Sequence, residues 1–195
     1  DLRDQGMDGI IFVGVPRTMM DGEGGGVPPT DALDLFREQV PNRGCILIPT
    51  REGEDGRFGF KCRQGATFAL TQLLYSDAIV DFLKDFAAEN EHRPSILLSF
   101  GFVPKAEQKV KLIEWLIQDP GNAAVAEEQA FVRRLSEMPG PQKRAELVDL
   151  YKRVIDGVKD LGFPLGIHLE APYGFVKPAF DTFAEMLDYW APDRD

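Results

Sequence analysis

The sequence has 195 residues, and its 44% hydrophobic and 28% charged content is that of an ordinary globular protein. The formal net charge is −10 and the lysines and arginines do not cluster, which argues against nucleic acid or an anionic membrane surface as a partner. No stretch reaches the ~18 apolar residues that a membrane helix requires, and the first residues, DLRDQGMDG, are charged rather than apolar, so we expect a cytoplasmic protein.

Five short apolar runs, bounded by glycine or proline, predict β-strands that are buried on both faces. These strands span residues 9–15, 45–50, 67–75, 95–102 and 165–171. Longer amphipathic segments alternate with them and predict helices over residues 31–40, 76 or 77 to 90, 105–118, 124–136, 141–161 and 178–190, with a short helical segment around Cys62. In segment 105–118, the helical spacing of apolar residues favours the core for Trp115 over a cofactor site.

A glycine-rich loop follows the first predicted strand, in the stretch IIFVGVPRTMMDGEGGGVPPTDAL. A dinucleotide-binding turn needs its glycines directly after the strand and directly before a helix. Here the glycines at positions 22–26 lie well past the strand, and Pro28 and Pro29 separate them from the helix. The pattern therefore predicts a surface connection rather than a phosphate-binding turn.

The two cysteines, Cys45 and Cys62, do not form a Cys-x-x-Cys pair, and the two histidines do not form a His-Glu-x-x-His motif. These are the spacings by which zinc sites are usually recognised. The sequence therefore predicts reduced thiols and no bound metal.

The alternation of strands and helices predicts a parallel α/β fold, either a doubly wound sheet or a (β/α)8 barrel of the TIM type. Five strand–helix units are too few for a barrel, which takes about 250 residues. The first nine residues look like the tail of a helix that leads into a strand. We therefore expect three units to precede Asp1, so that residues 1–195, as a single domain, form the last five units of a barrel.

In such a barrel the active site forms at the carboxyl ends of the strands. The polar candidates there are Arg17, Thr50, Arg51, Gln72, Tyr75, Lys105, His168, Glu170 and Tyr173. Burying the Gln72 amide without partners would cost a few kcal/mol, so it either bonds a neighbouring strand or loop or contacts a planar heterocycle. His168 and Glu170 share one side of their strand, either as an acid/base pair or as a structural polar pair.

Three segments together resemble the methylenetetrahydrofolate reductase family: FKCRQGATFALTQLLYSDAIVDFL, SFGFVPKAEQKVKLIEWL and YKRVIDGVKDLGFPLGIHLEA. The family's Lys, Gly-Ala, Thr-Gln and aromatic positions are matched by Lys61, Gly65, Ala66, Thr71, Gln72 and Tyr75, and its strand-end Gly-x-x-Pro by residues 101–104. The resemblance implies that Gln72 contacts both the folate pterin and the nicotinamide. It also implies folate-binding roles for Tyr75, Lys61, Thr50, His168 and Glu170, and a cofactor role for Arg17.

The chain departs from the family at the end of the first strand, where Gly14, Val15 and Pro16 replace the flavin-binding Arg-Gly-Asp. On the last strand His168 is kept, but the family's following residues are not. The acid that protonates the folate in the family lies on the first barrel strand, which would precede Asp1, so no catalytic residue is assigned.

The resemblance implies an enzyme that reduces 5,10-methylenetetrahydrofolate to 5-methyltetrahydrofolate with NADH, in one-carbon and methionine metabolism. We expect it to work without tightly bound flavin, although FAD is left open as a cofactor, and a homo-oligomer is left open too. The alternative is a folate-binding or otherwise non-reductase barrel that keeps the fold without this reaction.

Overall fold

The computed structural model describes residues 6, 8–14, 27–172 and 174–190. Its five strands form one parallel sheet in the order β1-β2-β3-β4-β5. The strands are β1 Gly9–Phe12, β2 Asn42–Leu47, β3 Phe68–Thr71, β4 Ser95–Gly101 and β5 Leu165–Glu170. The helices are α1 Pro29–Leu35, α2 Glu54–Arg63, α3 Ala78–Glu89, α4 Glu107–Leu116, α5 Ala123–Glu137, α6 Gly140–Val158 and α7 Lys177–Trp190. The predicted parallel α/β class is confirmed.

All five strands end earlier than predicted, and β2 and β3 differ most, because sheet pairing, rather than apolar content, decides where a strand lies. β2 begins earlier than predicted, at Asn42, because its first residues pair with β1, as Gly9 does with Asn42. β3 ends at Thr71, so Gln72 and Tyr75 lie in the connection after the strand and not on it. α1 is also shorter than predicted and starts at Pro29, whose missing N–H is not needed in the first turn of a helix.

One face of the sheet carries the core. Alternate residues of β2 and β4 point to this face, and Cys45, Leu47, Ile96 and Leu98 are at most 2% exposed there beneath the helices. The other face is only half-buried, which corrects the expectation of strands buried on both faces. We call this side of the sheet the open face, and its apolar residues are Ile11, Ile46, Phe68, Leu70 and Leu97.

The prediction that Trp115 belongs to the core is wrong, because its side chain is 54% exposed. Val110 and Ile113 turn inward from the same helix, and both are buried. Trp115 lies two residues beyond Ile113, so it points away from the helix face that packs on the core.

None of the helices in the described ranges combines the length and the hydropathy that crossing a membrane requires.

Candidate functional site

The carboxyl ends of β4 and β5 bring three polar side chains together on the same side as the open face. Ser99 pairs with His168 and Gly101 with Glu170 in the register of the two strands. The Ser99 hydroxyl lies 3.4 Å from Nδ1 of His168, and that nitrogen lies 3.1 Å from Oε1 of Glu170. The predicted pair is therefore in contact, and the hydroxyl and the carboxylate both meet the same ring nitrogen, so they orient the imidazole rather than relay a proton through it.

Tyr75 reaches over the end of this strand pair. A Cβ atom at Gly101 would lie only 2.5 Å from the Tyr75 hydroxyl oxygen and 3.0 Å from Cδ2 of Leu73, so any larger residue here would displace Tyr75. Tyr75 is 3% exposed, and its hydroxyl has no hydrogen-bond partner among the described residues. Burial raises the pKa of this hydroxyl well above its usual range, and the carboxylates of Glu170 and Glu128 raise it further. The hydroxyl therefore keeps its proton and remains a hydrogen-bond donor.

Gln72 lies just beyond β3, at the edge of a small cavity. Its backbone N–H donates to the Leu47 carbonyl at 2.8 Å, and its side-chain nitrogen donates to the Leu116 carbonyl at the end of α4. The cavity, about 20 Å³, is also lined by Thr50, Leu74 and Glu128 among others. The side-chain nitrogen of Gln72 thus bonds α4, while its amide oxygen has no partner among the described residues.

Lys61 and Thr50 fix the carboxyl end of β2. The Lys61 ammonium donates to the Ile46 carbonyl at 2.7 Å and to Oε1 of Glu54 at 2.8 Å. The same Glu54 oxygen lies 3.4 Å from the Ile48 backbone nitrogen. The Thr50 carbonyl accepts a 2.6 Å hydrogen bond from the Asn122 side chain. In this arrangement Lys61 holds the strand end through Glu54 rather than facing open space.

Glu128 is a buried carboxylate that the sequence reasoning missed. It is 5% exposed, accepts a 2.5 Å hydrogen bond from Ser76 and lines the Gln72 cavity. Burial raises its pKa, although the Ser76 hydrogen bond acts in the opposite direction. Its helical spacing from Val125 and Val132, both buried, was the available signal, because it puts Glu128 on the inward face of α5.

A family model described as mycobacterial methylenetetrahydrofolate reductase matches residues 1–194. This chain belongs to the methylenetetrahydrofolate reductase family. The resemblance predicted from the three motif segments is thereby confirmed. A search of curated proteins found no match to the chain. Membership of the methylenetetrahydrofolate reductase family indicates a folate-related reductase, and hence an oxidoreductase.

The remaining candidates of this reductase-family chain are dispersed. Lys105 is exposed after β4 and borders a groove between α4 and α5, while Arg51 is exposed after β2. Arg17, Tyr173, the Gly22–Gly26 stretch and the Val15–Pro16 part of the replaced flavin motif lie outside the described residues.

The two cysteines lie on the helix-covered side, away from the polar groups of the open face. Both are free and buried, and burial raises the pKa of Cys45 to about 12 and that of Cys62 to about 11. Both therefore remain thiols at neutral pH. Within the described ranges, no group of three or more histidine, cysteine, aspartate or glutamate side chains is arranged to hold a metal ion.

Proposed function

We propose that this protein reduces 5,10-methylenetetrahydrofolate to 5-methyltetrahydrofolate with NADH as the reductant. The observation that carries the proposal is the position of Tyr75 over Gly101, the register partner of Glu170, beside the His168–Glu170 pair. Apolar surface that ends in a few convergent polar groups is typical of small-molecule sites. It suits a flat heterocycle such as a pterin, whose polar edge would meet these groups at the carboxyl ends of the strands.

Each polar group has a role in this proposal. The unused oxygen of Gln72 would accept a hydrogen bond from the pterin or from the nicotinamide amide, and Thr50 would border the same ligand. The buried Tyr75 hydroxyl would donate to the folate, since it has no partner among the described residues. His168 and Glu170 would orient the ring edge. Lys61 would act on folate binding by holding the end of β2 in position.

NADH supplies a hydride when it is bound, while the protein binds and orients the reacting rings. The sequence has Gly14, Val15 and Pro16 where the family's flavin-binding Arg-Gly-Asp stands. None of these side chains offers a charge or a hydrogen bond to a flavin ring. We therefore propose that hydride passes directly from NADH to the folate, and that Arg17 assists in binding the cofactor.

We further propose that the sheet is part of a (β/α)8 barrel. Five parallel strands in sequential order support this arrangement, because a barrel wall is built in that way. The outer edges of β1 and β5 are unpaired among the described strands, and the open face is only half-buried. Three further units before Asp1 would pair both edges, cover that face and bring the proton-donating acid of the family into the site.

The test is an absorption spectrum of the purified full-length protein, followed by an NADH-oxidation assay with methylenetetrahydrofolate and no added flavin. We expect a colourless protein that consumes NADH only when the folate is present. Flavin bound near one per chain, or activity that requires added FAD, would contradict direct transfer. Folate binding without NADH oxidation under either condition would support a non-reductase folate-binding protein instead.

A further inference from the structure

A surface cleft of about 810 Å³ lies next to the Gln72 cavity. It is lined by residues 50–53, Arg57 and residues 119–122, and we call it the arginine cleft. Thr50 lines both the arginine cleft and the Gln72 cavity, so the two spaces adjoin at that residue. The Gln72 cavity has room for a single water, so a ligand that contacts both Gln72 and the arginine cleft would do so from the surface around Thr50.

Two guanidinium groups in the arginine cleft have unused hydrogen-bond donors. Arg51 is 44% exposed at its side chain, and its one ion-pair partner among the described residues, Oε2 of Glu54, is 3.9 Å away, beyond hydrogen-bond distance. Arg57 donates from Nη1 to the Glu52 carbonyl, and its other N–H groups have no partner within the described part of the chain. A planar guanidinium with free N–H groups matches phosphate oxygens in a bidentate fashion.

Acidic residues also line the arginine cleft, so its recognition of an anion depends on geometry and not on a surplus of positive charge. Asp119 is partly satisfied, because its Oδ2 atom accepts a 3.1 Å hydrogen bond from Asn122. Glu52 and Asp119 balance the charges of the two arginines. Such a lining disfavours non-specific anions and favours a ligand that engages both guanidinium groups.

Asn122 gives the arginine cleft a fixed shape. Its side-chain nitrogen binds the Thr50 carbonyl at 2.6 Å, and its side-chain oxygen accepts from the Ala124 backbone at 3.0 Å. One residue thus joins the loop after β2 to the start of α5, the two walls of the cleft. Beside it, Gly121 has a φ of +87°, and a Cβ atom at this position would have no neighbour within 4 Å, so backbone is open to the ligand here. A preformed site loses less free energy on binding than one that must be ordered.

We propose that the arginine cleft binds the phosphate groups of the nicotinamide dinucleotide, with Arg51 and Arg57 as the phosphate ligands. This inference rests on the proposed function for its ligand, because it takes the nicotinamide to lie at Gln72. Two parts of a dinucleotide offer the same chemistry: the diphosphate bridge, present in NADH and NADPH, and the 2′-phosphate, present in NADPH alone.

The test uses the full-length protein and its R51Q, R57Q and R51K variants, with R63Q as the control. Arg63 lies on the same helix as Arg57, is exposed and does not line the cleft. Dissociation constants for NADH, NADPH and ADP-ribose are measured by calorimetry, with the folate measured in parallel. We expect R51Q and R57Q each to weaken dinucleotide and ADP-ribose binding about ten-fold or more, because each removes a charge-assisted contact.

R51K should recover part of the lost dinucleotide affinity, since lysine restores the positive charge but not the paired N–H groups of the guanidinium. Folate affinity, melting temperature and the R63Q control should match the wild type. Equal losses for NADH and NADPH assign the cleft to the diphosphate, and a loss confined to NADPH assigns it to the 2′-phosphate.

Unchanged dinucleotide affinity in both glutamine variants would overturn the inference, as would a wild-type protein that binds no dinucleotide. The proposed function is judged separately. If dinucleotide binding depends on the arginines but the folate is not reduced, the inference holds and the proposed function is wrong. If the folate is reduced but R51Q and R57Q bind the dinucleotide normally, the proposed function holds and the inference is wrong.

Discussion

The Nδ1 atom of His168 lies 3.1 Å from the Oε1 atom of Glu170, and the two side chains are 45% and 30% exposed. Because neither is buried, Glu170→Gln should leave the melting temperature nearly unchanged while it removes the carboxylate that orients the imidazole. We expect folate affinity to fall about ten-fold, the usual effect of losing one charge-assisted hydrogen bond. Calorimetry with the folate measures this, and Glu107→Gln, which breaks a surface ion pair with Lys111, is the control. Equal affinities in both variants would remove Glu170 from the site.

Replacing Gln72 by leucine separates the two functions of its amide. The change leaves the Leu116 carbonyl without its donor, which should lower the free energy of unfolding by about 1 kcal/mol. It should also weaken folate binding by about 1–3 kcal/mol if the amide meets the ring. Gln129→Leu is the matched control, since Gln129 donates to the Glu114 carbonyl at 3.0 Å and does not line the Gln72 cavity. A stability loss in both variants with unchanged folate affinity would leave Gln72 a purely structural role.

Tyr75 and Tyr151 offer a second matched pair, because both hydroxyl groups are buried without a hydrogen-bond partner among the described residues. Removing an unsatisfied buried hydroxyl costs the folded state little, so Tyr75→Phe and Tyr151→Phe should both keep or raise the melting temperature. Only Tyr75→Phe should weaken folate binding, by several-fold. A parallel melting and calorimetric series on the two variants tests this, and a loss of stability on Tyr75→Phe would mean that the hydroxyl has a partner within the protein.

Glu128 should make stability depend on pH in a defined direction. Burial raises its pKa in the folded protein, so the folded state binds the proton more tightly than the unfolded chain does. Its contribution therefore favours folding below the ordinary glutamate pKa and is lost as the pH rises from there through the raised value. Glu128→Gln should be more stable than the wild type at neutral pH, and the difference should shrink in acid. Urea unfolding between pH 4 and pH 8 measures it.

The neighbouring Glu127 is exposed, and Glu127→Gln is the control for that pH series. It should follow the wild-type curve throughout. A Glu128→Gln curve parallel to the wild type at every pH would show that the carboxyl is not perturbed by its burial.

Residues 1–195 expressed alone should self-associate. Large apolar side chains are exposed near the first strand and on the last helix, among them Val13 at 66%, Leu35 at 58% and Phe180 at 58%. The outer edges of β1 and β5, which no described strand pairs, add to the tendency, since they offer free backbone groups to another chain. Size-exclusion chromatography with light scattering provides the measurement, and a monodisperse monomer with a cooperative melting transition would refute the expectation.

The alternation of strands and helices was predictable from the sequence because parallel strands with a helix between them leave two distinct periodicities. The residues at which the strands end were not predictable, since hydrogen-bonded pairing with the neighbouring strand decides them. Leucine and tyrosine after Thr71 look like strand residues, yet the chain leaves β3 at Thr71 and carries Tyr75 over Gly101. The prediction for Trp115 was wrong for a related reason, because an apolar residue in an amphipathic helix need not lie on its inward face.

The His168–Glu170 contact was predictable from a spacing of two along a strand, which puts both side chains on one face. The partners of Gln72 and Lys61 were not, because Leu116 and Glu54 reach them through packing between elements that no local pattern encodes. Glu128 and Ser99 were partly predictable. Their spacing is visible in the sequence, but only the three-dimensional arrangement brings them to the site.

The strictly sequential order of the sheet bears on how the protein acquires its structure during synthesis. Each strand after β1 pairs with the strand translated just before it, as Ser95 does with Phe68 and Leu165 with Ile96. No strand has to wait for a later one to be inserted between it and its neighbour. Folding can therefore follow the ribosome unit by unit, and such near-neighbour pairing limits the loop-closure entropy of each step. The polar cluster on β4 and β5 would then assemble last, after the sheet that supports it.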